Sequence, residues 1–413
     1  MPPAQFLRNY WQKRPLLIRN AFRNFEPPLS PDDLAGLACM DGVLARIVLR
    51  ETPAKPSLRG RSRLHRGRNS EPSDAGEAKT LGSRFRGNDG KWRVRTGPFE
   101  EATFAKLPES NWTLLVQDVD KWDPDTAALL KHFAFIPSWR IDDVMISYAT
   151  DGGGVGAHVD QYDVFLLQGF GQRHWSIDTH PDPSTAFRDD VELKLLRTFR
   201  PTHTWTLEPG DMLYLPPGVP HDGVAVGACT TFSIGMRAPS GGELLLDLAA
   251  HIAESLPESQ RLADPDVQPA SRGGEIDDGA LRRARRAVGA AATMLDNDAF
   301  ADWFGSFVTR YRVAQVPVPR KRAIDRGKLA ERLPTTMLEC DPWSRFAWRQ
   351  RGRDARLYVA GNVFDAPLEW ARELASGARK LEGRRLAKLP KSGRGIALLA
   401  KLIDAGFVTF RGH

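Results

Sequence analysis

His158 and Asp160 stand two apart in Gly152-Gly153-Gly154-Val155-Gly156-Ala157-His158-Val159-Asp160-Gln161-Tyr162-Asp163. On a strand, side chains two apart point to one face, so an imidazole and a carboxylate could grip one ion together. A second imidazole, His221, closes Pro209-Gly210-Asp211-Met212-Leu213-Tyr214-Leu215-Pro216-Pro217-Gly218-Val219-Pro220-His221, which reads as a strand, a tight Pro-Gly turn and a His entering the next strand. Two His and one carboxylate leave three positions of Fe(II) open for a chelating co-substrate and O₂, openings that a purely structural metal does not need. His174, His180 and His203 show no carboxylate two residues away on an expected strand and are read as structural.

An Fe(II) oxygenase of this class usually takes 2-oxoglutarate, whose distal carboxylate needs a fixed cation on a neighbouring strand. Arg173, in Gly169-Phe170-Gly171-Gln172-Arg173-His174-Trp175, is the best candidate, because a guanidinium binds a carboxylate bidentately. Thr204, Tyr148 or Ser233 could add a hydroxyl to the same carboxylate, and strand parity in the sequence does not choose among them.

The elements that position these residues are mostly short strands between about 112 and 237. They are Trp112–Val116, Asp143–Tyr148, Asp163–Gln168, His203–Leu207, Met212–Leu215 and Thr230–Ile234, joined by Gly, Pro and Asp turns, a pattern of sandwiches and barrels. Residues 243–310 turn helical, with Leu244, Leu245, Leu248, Ile252 and Leu256 at three- and four-residue spacings. The end of the chain predicts a helical stretch at 367–380, another at 396–403, Gly406 as its C-cap and a short strand at 407–410, the order found at the end of a winged helix. Residues 52–89 are rich in Arg, Gly, Ser and Pro without periodic apolar residues, and read as a disordered insertion splitting a hairpin between Ala45–Leu49 and Trp92–Arg95.

The chain has 413 residues, 41% hydrophobic and 26% charged, ordinary globular usage, and at about 150 residues per domain it suggests two or three folded units. No apolar run approaches the roughly 18 residues of a membrane span, so no membrane partner is expected. Met1-Pro2-Pro3-Ala4-Gln5-Phe6 lacks the features of a secretory signal, and Cys39, Cys229 and Cys340 are too few for a disulfide framework or a cysteine zinc site. A cytoplasmic location is expected. The net charge of +7 is unevenly placed: residues 342–413 hold 15 Lys/Arg against 6 Asp/Glu, residues 52–89 hold 9 against 4, and residues 142–240 hold 6 against 13. An acidic body favours a cationic substrate, and a basic tail an anionic neighbour.

Tyr10-Trp11-Gln12-Lys13-Arg14-Pro15-Leu16-Leu17-Ile18, the segment from Gly156 through His158 and Asp160 to Phe165, and the turn before His221 resemble the bacterial JmjC-type ribosomal oxygenases of the cupin superfamily, over nearly the whole chain. The resemblance implies an oxidoreductase, a 2-oxoglutarate-dependent dioxygenase with Fe(II) as cofactor and 2-oxoglutarate and O₂ as co-substrates. Its substrate would be an arginine of a large-subunit ribosomal protein, number sixteen. It implies metal ligation by His158, Asp160 and His221, 2-oxoglutarate binding by Arg173, and a homodimer formed through the helical middle. The expected fold is a mainly β catalytic domain, a double-stranded β-helix (cupin/JmjC), followed by an α-helical region and a small winged-helix-like C-terminal domain. The boundaries are 1–240 for the oxygenase domain, with 52–89 inserted, 241–322 for the helical dimerisation region and 323–413 for the winged-helix-like end. Tyr148, Asp151 and Asp163 flank the metal segment, where carboxylate or ring could hold a guanidinium. The basic end is the candidate for contact with the ribosome or another nucleic acid. Two alternatives stay open: the same chemistry on a histidine, a lysine or an RNA base, or a non-catalytic metal-binding cupin whose basic tail binds nucleic acid. Arg173 discriminates, since a binding module has no use for a carboxylate anchor.

Overall fold

The computed structural model describes residues 1–51, 91–265, 267, 276–292, 296–311 and 315–411. Its first part is a rolled sheet of nine strands: β1 (Leu16–Ile18), β2 (Ala45–Glu51), β3 (Lys91–Thr96), β4 (Trp112–Val116), β5 (Ile141–Ala149), β6 (Val164–Ile177), β7 (His203–Leu207), β8 (Met212–Leu215) and β9 (His221–Met236). The order is β1-β8-β6-β9-β5-β4-β2-β3, with β7 also on β6. β6 and β9 are paired from Ile177↔His221 to Val164↔Gly235, with irregularities around Phe170. On its other side β6 takes β8 against Val164–Leu167 and β7 against Arg173–Ile177, so one long strand serves two short ones.

Alternation decides what each face carries. On β5, Val144 and Ile146 enter a large core with Phe165, Leu167, Tyr214 and Phe232. The opposite face of β6 and β8 builds a second, inner core from Val164, Leu166, Trp175, Ile177, Leu207, Leu213 and Leu215. The split hairpin is present, β2 pairing β3 from Arg46↔Thr96 to Glu51↔Lys91. The insertion read at 52–89 lies outside the described residues.

Helix Gly241–Ser255 begins in a capping box, Ser240 Oγ accepting from Glu243 N and Glu243 Oε2 from Ser240 N. Leu244 and Leu248 pack with Trp303 and Phe307 of helix Asn297–Thr309. Leu245 stays exposed, although the spacing counted it with them. A third helix, Asp278–Ala292, lies between these two in sequence. The C-terminal unit has sheets β14-β10-β15 and β11-β12-β13, made of β10 (Met337–Cys340), β11 (Phe346–Arg351), β12 (Asp354–Val359), β13 (Asn362–Pro367), β14 (Lys380–Glu382) and β15 (Val408–Phe410). The helix expected over 367–380 is Leu368–Leu374 only, and Lys380 already belongs to β14. The helix expected at 396–403 runs Ser392–Asp404, and Gly406 follows it at φ +83°. Gly395 lets that helix lie against Trp370, the bulkiest fully buried side chain among the described residues: a Cβ there would meet the indole at 1.9 Å.

The units are tied by polar contacts. Arg237, just after β9, donates to the carbonyls of Phe307 and Arg310, Tyr311 donates its hydroxyl to Asp118, and Arg345 pairs with Asp142.

Candidate metal centre and co-substrate pocket

His158 and Asp160 lie on no regular strand, unlike the sequence reading. His158 sits in a single bridge to His221, the two exchanging backbone hydrogen bonds of 3.0 Å in both directions. Asp160 follows in a loop fastened at its carbonyl, which accepts from Gly218 N at 2.8 Å. Gly218 has φ +83°, a left-handed conformation suited to glycine. The same-face pair therefore arises from a bridge and a pinned loop.

These anchors converge three ligand atoms. His158 Nε2 is 3.9 Å and His221 Nε2 3.6 Å from Asp160 Oδ2, and the three residues form a group that could hold one ion. Each Nδ1 lies 2.9 Å from a main-chain carbonyl, Gly156 O for His158 and Val219 O for His221. A proton donated there leaves the Nε2 lone pair free for a metal. Burial, then the neighbouring His158, pushes His221 down to about 4, which keeps it neutral and ready to ligate at ordinary pH.

A line of side chains leads inward from this set. Ile177, Trp175 and Arg173 of β6 oppose His221, Gly223 and Ala225 of β9, so all share one face. Trp175 covers the position where a Cβ of Gly223 would stand, 2.7 Å from its ring. Arg173 lies four residues beyond His221's partner, about 13 Å along the strand. Arg173 is buried, 5% exposed, and its Nε and Nη2 have no hydrogen-bond partner; Trp175 Nε1 has none either. Orphaned guanidinium donors inside a protein call for an anion, and a five-carbon diacid chelating the ion could reach them. The donor set and the orphaned cation thus both fit Fe(II) with 2-oxoglutarate. Trp175, two residues after Arg173, escaped the sequence reading, though that spacing was the signal.

Of the three hydroxyls left open, Ser233 pairs with Leu166 of the inner core and shares Arg173's face. Thr204 pairs with Ser176, one residue out of phase, and faces away. Tyr148 packs on Trp112, ring centroids 5.5 Å apart, against the large outer core. The structure therefore separates Tyr148 from the metal set. It also separates Asp163, whose fully buried carboxylate accepts from Tyr214 OH at 2.6 Å, Gln12 Nε2 at 2.9 Å and Arg140 Nη2 at 3.3 Å. Asp151 is exposed at the rim, one oxygen accepting from Gly227 N at 2.8 Å.

Comparisons with known proteins agree with this architecture. The JmjC domain family matches residues 128–244, and the ROXA-like winged helix family residues 292–409. Ribosomal protein uL16 3-hydroxylase of Escherichia coli (strain K12) is 31% identical over 98% of this chain and 97% of its own length. A probable ribosomal oxygenase of Haemophilus influenzae is 34% identical over 64% of this chain and 61% of its own length. A solved structure of an Escherichia coli ribosomal oxygenase in complex with cobalt and 2-oxoglutarate aligns with a TM-score of 0.76 and 31% identity, covering 100% of this chain and 99% of that one. The fold class is accordingly a mainly β JmjC/cupin domain, a helical region and a C-terminal winged helix. With that identity running almost end to end over a rolled sheet that gathers two histidines and an aspartate, the chain belongs to the JmjC-type ribosomal oxygenases.

Proposed function

We propose that this protein is an Fe(II)- and 2-oxoglutarate-dependent dioxygenase that hydroxylates an arginine of the large-subunit ribosomal protein uL16. The observation that carries the reading is Arg173, buried with Nε and Nη2 unpartnered on the same face as His221. His158, Asp160 and His221 would hold the iron through Nε2, a carboxylate oxygen and Nε2. Bound iron would supply the coupling of 2-oxoglutarate decarboxylation to oxygen transfer, one oxygen atom of O₂ going to succinate and the other to the substrate C–H. Arg173 fixes the far carboxylate by a charge-assisted pair, and Trp175 fills the space between Arg173 and His221, excluding water. Asp151 is the substrate-side candidate that stays at the rim, its second oxygen free among the described residues to take a guanidinium. The placements of Tyr148 and Asp163 favour structural roles.

We read residues 1–240 as the oxygenase domain, 241–322 as a dimerisation region and 323–413 as the winged-helix domain. A homodimer is supported by apolar side chains left on the helical unit, Leu245, Leu246 and Val288 at 67%, 74% and 70% exposed. No described helix is long and apolar enough to cross a membrane, in keeping with work on ribosomes in the cytoplasm. For ribosomal contact the basic end offers Arg353, Lys388 and Lys401, which have no acidic partner among the described residues, whereas Lys391 and Arg394 are held by Asp354. The test is mass spectrometry of a peptide carrying the target arginine. A gain of one oxygen requiring Fe(II), O₂ and 2-oxoglutarate is expected, and none with Arg→Ala. Preferential oxidation of a histidine peptide would overturn the arginine assignment.

A further inference from the structure

The glycine-rich segment 152–156 delivers His158, and glycine backbones carry more conformational freedom than any other. Most of the segment is held by the sheet. Gly152 N donates to Ala225 O at 3.0 Å and Ala225 N to Gly153 O at 2.8 Å, while Thr113 Oγ1 donates to Gly154 O at 3.3 Å. Gly156, two residues before His158, is held differently. It has φ +80°, and a Cβ built on it would lie 3.0 Å from Trp92 Cζ2 and 3.2 Å from both Leu195 methyls. Its carbonyl is the acceptor that orients the His158 ring, 2.9 Å from Nδ1. Leu196 N donates to Ala157 O at 2.9 Å, so the strand-poor stretch before β7 presses on the same point.

Trp92 reaches that point from β3, the free end of the nine-strand order among the described residues. It opposes Arg50 across the hairpin, and the Arg50 guanidinium lies 5.6 Å from the ring centroid, backing the indole. Arg50 N in turn donates to Asn111 O at 2.9 Å.

We propose that Trp92 is a positioning residue for the metal centre: clamped between Arg50 and the Gly156 backbone, it fixes the carbonyl that orients His158. This rests on the reading of His158 as a ligand. It also makes the β2–β3 hairpin, interrupted by residues 52–90, part of the scaffold of the metal centre, so its register governs the ion from a distance in sequence.

The test is a titration of the purified full chain with Co(II) alone, followed by its visible absorption bands. Groups that orient a ligand typically contribute 10- to 100-fold in metal affinity. Trp92→Ala is expected to weaken Co(II) binding by about tenfold or more and to alter the band shape, with melting temperature little changed. Trp92→Phe is expected to recover most of it. Arg93→Ala, on the opposite face of the same strand, is expected to bind as the parent does. Should Trp92→Ala fail to fold, Trp92→Leu decides: parent-like affinity and bands in either variant would overturn the inference. A parent protein that takes up no Co(II) would instead overturn the metal reading of His158, Asp160 and His221, so the two failures are distinct.

Discussion

Replacing Arg173 by Met removes a guanidinium while keeping an unbranched apolar side chain in its place. Two effects follow, of opposite sign. A hydrogen bond to a charged group contributes about 1.5–3 kcal/mol, and a bidentate carboxylate would receive two from the orphaned Nε and Nη2. Allowing for non-additivity, about 3 kcal/mol is lost, roughly a 150-fold rise in the Kd of 2-oxoglutarate. Without co-substrate, however, the parent keeps a buried arginine, 5% exposed, with two unpaired donors, and removing unsatisfied buried donors is expected to leave stability unchanged or raised. Calorimetric titration of 2-oxoglutarate, with a nonreactive metal in place of iron, measures the first effect. Melting of the ligand-free proteins measures the second, where each kcal/mol corresponds to about 2–4 °C for a domain of this size. A Kd within about twofold of the parent, or a ligand-free variant melting several degrees lower, would refute the reasoning that Arg173 waits for an anion.

Asp163→Asn should cost about 2–4 kcal/mol of stability, since Arg140 and Tyr214 lose a buried carboxylate, while the KM for 2-oxoglutarate stays unchanged; chemical denaturation and steady-state kinetics check both. Asp143 is pushed up to about 7 by burial, then by Asp118, Asp120 and Asp142, against the opposing pull of Lys121. Its folded pKa exceeds its unfolded one, so its contribution to stability is complete below about pH 4 and is lost as pH rises through about 7. Melting curves between pH 5 and 8 should therefore show Asp143→Asn gaining on the parent toward the alkaline end, and parallel curves would count against this. Finally, Glu51 and Lys91 face each other across the hairpin, so replacing residues 52–90 by Asn-Gly should close it with a two-residue turn. The shortened protein is expected to bind Co(II) and turn over 2-oxoglutarate like the parent; a folded but inactive product would make the segment functional.

The convergence of His158, Asp160 and His221 was legible because His-x-Asp and the Pro-Gly turn before His221 are local spellings, even though the strand assumed under His158 is a single bridge. Arg173 was singled out as a cation along one strand, and the structure places it buried, with two donors unpartnered, on the face of His221. Tyr148 and Asp163 were misplaced because nearness in sequence does not give the face: Tyr148 follows the phase of Val144 and Ile146 into the outer core, and Asp163 meets Tyr214, Gln12 and Arg140 only after the chain has folded back. Trp92 was read only as part of a hairpin strand, and its approach to Gly156, like that of Leu195, could not be read. Their contact with Gly156 joins three segments distant in sequence, and nothing local announces it.

β9 extends for 16 residues, about 50 Å if straight. It starts at His221, is laddered to β6 and β5, and passes straight into Arg237, which donates to the carbonyls of Phe307 and Arg310 at the end of helix Asn297–Thr309. A swing of the helical unit relative to the sheet would have to tear this grip or bend a strand laced on both sides. The helical unit is thus fastened to the same strand that carries His221 at its other end. Next to that end, the long connection between β6 and β7 leans through Leu196 on Ala157, the residue before the other imidazole of the set.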